Sequence, residues 1–177
     1  MLRLLLVGLI VSCGGLSVQA ADDLPRGELV TSDELPPGYE ATENRLEVGG
    51  TETYLIAVQN PEQNSKVVVM IETRKISDVD SRRAATKGYI NGNMSVLEKA
   101  GLKVLERVVP DLNKETFTRP VVVTALFETD DGRKFHLHQQ IFFTDIGYAV
   151  TVLADDDRQF SQLKRWARTI RPTPAKK

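Results

Sequence analysis

His136 and His138 are the chain's two histidines, and they stand two apart in a β-rich run. Alternation along a strand places both on one face, about 6.5–7 Å apart. A His-x-His pair of this kind can begin a metal site. If Asp131-Gly132 makes a two-residue turn, Phe127 pairs with His136 and Ala125 with His138, on an apolar face shared with Val123 and Phe142. Zinc, however, asks for three or four protein ligands. No third histidine exists, and the one cysteine is Cys13 near the N-terminus. Asp155 or Asp157 could approach His138 across the next hairpin. The pair therefore reads as structural, with no metal and no cofactor expected.

Other residues with chemical potential have plainer readings. Asp155-Asp156-Asp157 lacks the glycine and the spaced oxygens of a calcium loop and reads as a helix start. Asp130-Asp131-Gly132 reads as a turn. No Gly-x-Ser-x-Gly elbow is present, and no serine has an evident base partner. Gly49-Gly50 lies between putative strands, so it is a hairpin rather than a phosphate loop. Lys164, Arg165, Arg168 and Arg171 around Trp166 suggest either an anion patch or a solvated helix face. The second fits better, because Trp166 can pack beside a Leu163/Ala167 stripe while the cations stay wet. No catalytic residue is assigned and no enzymatic activity is expected.

Composition narrows the classes further. The 177 residues carry 23 Lys+Arg against 24 Asp+Glu, which excludes nucleic-acid binding by bulk electrostatics. A 41% hydrophobic, 27% charged chain of this length suits one globular domain. A single cysteine excludes a disulfide framework.

The N-terminus points to export. Arg3 precedes a mostly apolar stretch, Leu4 to Leu16, too short to span a bilayer. Val18-Gln19-Ala20 then supplies a small-residue cleavage site, so residues 1–20 read as a signal peptide cut between Ala20 and Ala21. A competing reading takes Ile10-Val11-Ser12-Cys13 as a lipobox, with Cys13 acylated and the protein membrane-anchored by lipid. Either reading means export, to a periplasmic or extracellular location. No later segment has the length and apolarity to span a membrane.

Residues 21–38 are acidic and proline-containing and read as a mobile lead-in. From Tyr39 the pattern becomes regular. Thr53–Val58 and Lys66–Thr73 are β-rich, and the unbroken Val67–Ile71 run suggests a strand covered on both faces. Asp80 or Ser81 caps a helix to about Ala100, with Ala85, Gly88, Tyr89, Gly92, Val96 and Ala100 on one stripe. Gly88 and Gly92 suggest close approach of that helix to a sheet. Strands follow at Leu102–Val109, Val121–Thr129, Phe135–Thr144 and Tyr148–Ala154. A terminal helix comes next, with Phe160, Leu163, Ala167 and Ile170 as its buried stripe, closed by Arg171-Pro172. The order predicts an α+β domain over residues 39–172: a single antiparallel β-sheet with a helix packed on each face. Residues 173–177 form a tail.

Several local patterns carry a family resemblance. They are Lys99-Ala100-Gly101-Leu102-Lys103-Val104, the Thr129-Asp130-Asp131-Gly132 hairpin, Tyr148-Ala149-Val150-Thr151-Val152, and the close Phe160, Leu163, Trp166, Ile170-Arg171-Pro172. In these the chain resembles the PsbP-like and DcrB-like exported α/β/α sandwich proteins, in element order over residues 36–172 and in local pattern from Leu97 onward. The resemblance implies a sandwich fold and an accessory or interaction role rather than catalysis.

The expected function is thus a non-enzymatic exported module that binds a protein or other envelope component. The alternative is a small-molecule or metal carrier using a groove near His136 and His138. If a protein partner docks, the longest irregular stretch, Pro110–Pro120, offers Phe117 and Lys114 as its contacts; the alternative, which fits slightly better, is that Phe117 tucks under the sheet end.

Overall fold

β-branched and aromatic runs separated by turn residues build most of this molecule. The computed structural model describes residues 17–18, 24, 27–48 and 50–173. Its strands are β1 (Ser17–Val18), β2 (Val30–Thr31), β3 (Glu40–Val48), β4 (Thr51–Gln59) and β5 (Ser65–Glu72), then, after helix α1 (Val79–Lys99), β6 (Lys103–Val108), β7 (Val121–Glu128), β8 (Lys134–Phe143) and β9 (Gly147–Ala154). Helix α2 (Asp157–Ala167) and β10 (Arg171–Pro172) complete the chain. One antiparallel sheet runs in the order β1-β3-β4-β5-β9-β8-β7-β6, and β2 pairs with β10 separately.

Among the described residues strand outweighs helix by 42% to 22%, and two helices on seven full-length strands correct the expected α/β/α sandwich. Width explains the difference. A helix with its side chains is about 10–12 Å across, whereas seven strands at about 4.8 Å spacing span roughly 29 Å. One helix therefore roofs two or three strands and cannot form a layer. Helix α1 shares a cluster with Phe127, Phe135 and Leu137 of β7 and β8, leaving β3–β5 bare on that side. Helix α2 shares the opposite cluster with Val69, Val150 and Val152 of β5 and β9, leaving Val108 and Val122 of β6 and β7 exposed.

Helix α1 starts earlier than its sequence signals suggest. Asp78 is the cap, its carboxylate accepting from the Ser81 amide at 2.8 Å. Ala100 caps the other end and Gly101 follows at φ 86°, a left-handed turn that suits glycine. The buried stripe is Ala85, Thr86, Tyr89, Ile90, Met94 and Leu97. It is rotated away from Gly88 and Gly92, where an added Cβ would meet nothing within 4 Å. The close helix–sheet approach expected at these glycines is therefore corrected.

Helix α2 begins at Asp156, which accepts from the Gln159 amide at 2.8 Å, and buries Leu163, Trp166 and Ala167. Its end is tied to the lead-in. Trp166 Nε1 donates to the Asp33 carbonyl at 3.1 Å, Tyr148 Oη donates to the Leu29 carbonyl, and Val30 is fully buried. The expected mobile lead-in is thus corrected over residues 27–38, since apolar anchors and backbone bonds fix them. Cys13, Ala20, Ala21 and residues 174–177 lie outside the described residues. Among the described residues no helix is long and apolar enough to cross a membrane.

Candidate binding groove

The bare half-sheet beside α1 forms a groove of about 590 Å³. Leu46 of β3, Leu55 of β4 and Val68 and Met70 of β5 supply an apolar floor, and Gly88, Gly92 and Val96 of α1 form a wall. The two glycines widen the groove because nothing projects from the helix there. The Val67–Ile71 run is therefore not covered on both faces. Val67, Val69 and Ile71 are fully buried toward α2, while Val68 and Met70 are half-buried along the groove.

Strand alternation puts Lys66 and Glu72 on the same side as Val68 and Met70, separated by six residues or roughly 20 Å. At the inner end Lys66 is only 5% exposed. Burial pulls its pKa down to about 8, because the charged ammonium loses hydration. At the outer end Glu72 accepts from Tyr89 Oη at 2.6 Å and pairs with the exposed Arg74 at 2.8 Å. Burial, and next the Glu72 carboxylate, push the Tyr89 phenol's pKa up, so it stays a donor. Midway, Asn93 Nδ2 donates to Thr151 Oγ1 at 2.8 Å.

Neither histidine lines this groove. The β7–β8 register pairs Leu126 with His136 and Thr124 with His138, one residue away from the expected pairing. The cause is the turn, which is longer than two residues: the Thr129 amide bonds the Arg133 carbonyl at 2.9 Å, with Gly132 at φ 81° inside it. A one-residue slip reverses the face, so the histidines point toward α2. His136 Nε2 lies 3.1 Å from Asp157 Oδ1, and its ring is 5.3 Å from Phe160. Asp157 thus reaches His136 instead of His138. His138 is 3% exposed, and Gln140 Nε2 donates to its Nε2 at 3.0 Å. Its pKa is drawn down to about 4 by burial, then by Lys164 and Arg168. Among the described residues, no group of three or more His, Cys, Asp or Glu side chains is placed to hold a metal ion.

In the Pro110–Pro120 loop Phe117 takes the inward of its two expected placements. Phe117 is 3% exposed and meets Phe143 edge-on at 5.9 Å between ring centres. It is a core residue and not an exposed anchor, and its backbone is left-handed (φ 57°). Lys114 remains exposed, its Nζ 3.4 Å from Asp111 Oδ2. On α2 the cations stay at the surface while Trp166 is buried, and Lys164 Nζ lies 5.8 Å from the Phe160 ring centre.

The groove-lining residues, Lys66 above all, escaped sequence reasoning. Two signals pointed toward them: paired helix glycines four apart, and an unbroken apolar strand interrupted by no charge between Lys66 and Glu72. No protein-family model matches the chain, and no curated protein matches it.

Proposed function

We propose that this chain is an exported, non-catalytic binding module whose ligand is an elongated, largely apolar small molecule held between α1 and strands β3–β5. The observation that carries this reading is the groove itself, at about 590 Å³, with an apolar floor. Sites for small molecules commonly fall in this size range and combine apolar walls with a few fixed polar groups. The Tyr89–Glu72–Arg74 and Asn93–Thr151 contacts suit that pattern, since they hold side chains in place along the walls. Export follows from the reading of residues 1–20, with release at Ala20/Ala21 or lipid anchoring at Cys13. The resemblance to PsbP-like and DcrB-like accessory proteins agrees with a binding role. The test is titration of the purified protein with an uncharged apolar fluorophore such as Nile red. Saturable binding is expected, and Gly92→Leu, which fills the groove, should abolish it without lowering Tm. Undiminished binding in that variant would overturn the reading.

A further inference from the structure

We infer that the ligand of the groove carries one neutral hydrogen-bonding group part-way along its apolar body, a hydroxyl or a secondary amide that both donates and accepts, held by Thr151 of β9 and Asn93 of α1. This rests on the groove reading above and specifies its ligand class.

Position and unused hydrogen-bonding capacity carry the inference. Thr151 is the cross-strand partner of Val68 and lines the groove with it. Four residues of β5, roughly 13 Å, separate that level from Glu72. Asn93 Nδ2 donates to Thr151 Oγ1 at 2.8 Å. A threonine hydroxyl has one hydrogen and two lone pairs, and a side-chain amide oxygen accepts. The contact therefore fixes both side chains and leaves the Thr151 hydroxyl hydrogen and Asn93 Oδ1 without a partner among the described residues. One donor and one acceptor side by side match a group with the complementary pair. A hydroxyl or a secondary amide has that pair, whereas an ether or an ester only accepts. Gly92 precedes Asn93, and a Cβ added there would meet nothing within 4 Å, which leaves room beside the pair. The next residue in the same row is Gln139, the partner of Thr151 on β8. It is fully buried, its other row neighbour is the apolar Val123, and neither of its amide atoms has a hydrogen-bond partner. Buried amides are rarely left this way, because each unmet bond costs stability. A polar group arriving at Thr151 adds hydrogen bonding to the row where the protein's own is incomplete. The outer end differs, since Tyr89 Oη gives its hydrogen to Glu72, whose carboxylate also pairs with Arg74.

The test is displacement of Nile red from the full-length protein by four uncharged probes of equal chain length. The isomers 7-tridecanol and 1-tridecanol differ only in where the hydroxyl sits. N-hexylhexanamide donates and accepts at mid-chain, whereas hexyl hexanoate only accepts there. Either 7-tridecanol or the amide should bind at least about fivefold tighter than its control, as one neutral hydrogen bond supplies. The larger preference identifies the group as hydroxyl or amide. Thr151→Val and Asn93→Leu preserve side-chain shape, and each should bring that preference below about twofold. Circular dichroism checks that both variants are folded. Equal affinity of each mid-chain probe and its control in the wild type, or a preference that survives either substitution, would overturn the inference and leave the groove reading standing. Failure of all four probes to bind would overturn both.

Discussion

Gly147, the first residue of β9, lies directly beneath the hydroxyl of Tyr89 on α1, so that a Cβ built on Gly147 would overlap the phenol oxygen and crowd Ile76 Cδ1 at 3.1 Å. This is where helix and sheet approach most closely among the described glycines. Gly147→Ala should push Tyr89 away and weaken its bond to Glu72. Overpacking of this kind costs about 1–3 kcal/mol. Urea denaturation should show that loss, and an unchanged midpoint would mean that Tyr89 moves freely.

Gly88 and Gly92 behave in the opposite way. Both are helical, and an added methyl at either meets nothing within 4 Å. Glycine in a helix interior is about 1 kcal/mol less favourable than alanine. Gly88→Ala and Gly92→Ala should each raise stability by up to about that amount, read as a higher Tm. A fall in Tm for either would show that helix and sheet touch there.

These three glycines show how far the sequence can be read. The spacing of Gly88 and Gly92 reveals that something is unusual about one helix face, but glycine marks open space and close approach by the same absence of a side chain. Only packing tells them apart. The boundaries of β7, β8 and β9 are legible from alternation and turn residues to within a residue. The faces of His136 and His138 are not, because the length of the Thr129–Arg133 turn decides the register. Lys66 illustrates a different limit. A lysine near the head of an apolar strand reads as a solvated end, and its burial at the groove depends on packing that the strand's own pattern does not report. The sandwich expectation failed for the same reason, since periodicity reports that a helix has a buried stripe and not how many strands it spans.

Phe117 connects the Pro110–Pro120 loop to the core through Phe143. Phe117→Ala should destabilise by about 3–5 kcal/mol, the usual loss for a buried phenylalanine. Phe117→Leu should fall between alanine and wild type. Chemical denaturation distinguishes these outcomes, and a change below about 0.5 kcal/mol for the alanine variant would place the ring at the surface.

His138 makes stability depend on acid. Its surroundings are cationic and dry: Lys164 of α2 and Arg168 at that helix's C-terminal cap act on it, Gln140 occupies Nε2, and Nδ1 is buried without a hydrogen-bond partner. Its folded pKa of about 4 lies below the ordinary value of 6.5, so the unfolded chain binds a proton that the folded chain refuses. The stabilisation is therefore fully present above pH 6.5 and is lost as the pH falls from there through 4. Over that window the loss is on the order of 3 kcal/mol. Carboxylates begin to titrate in the lower part of the same range, so the informative quantity is the difference between wild type and His138→Leu. The leucine variant removes both the titration and the orphaned Nδ1 while keeping an apolar body beside Val152, its cross-strand neighbour. Stability measured by urea at half-unit steps from pH 7.5 to 4 should decline more steeply in the wild type, with the two curves diverging below pH 6.5. Parallel curves would show that His138 takes up its proton in the folded protein as readily as in the unfolded one.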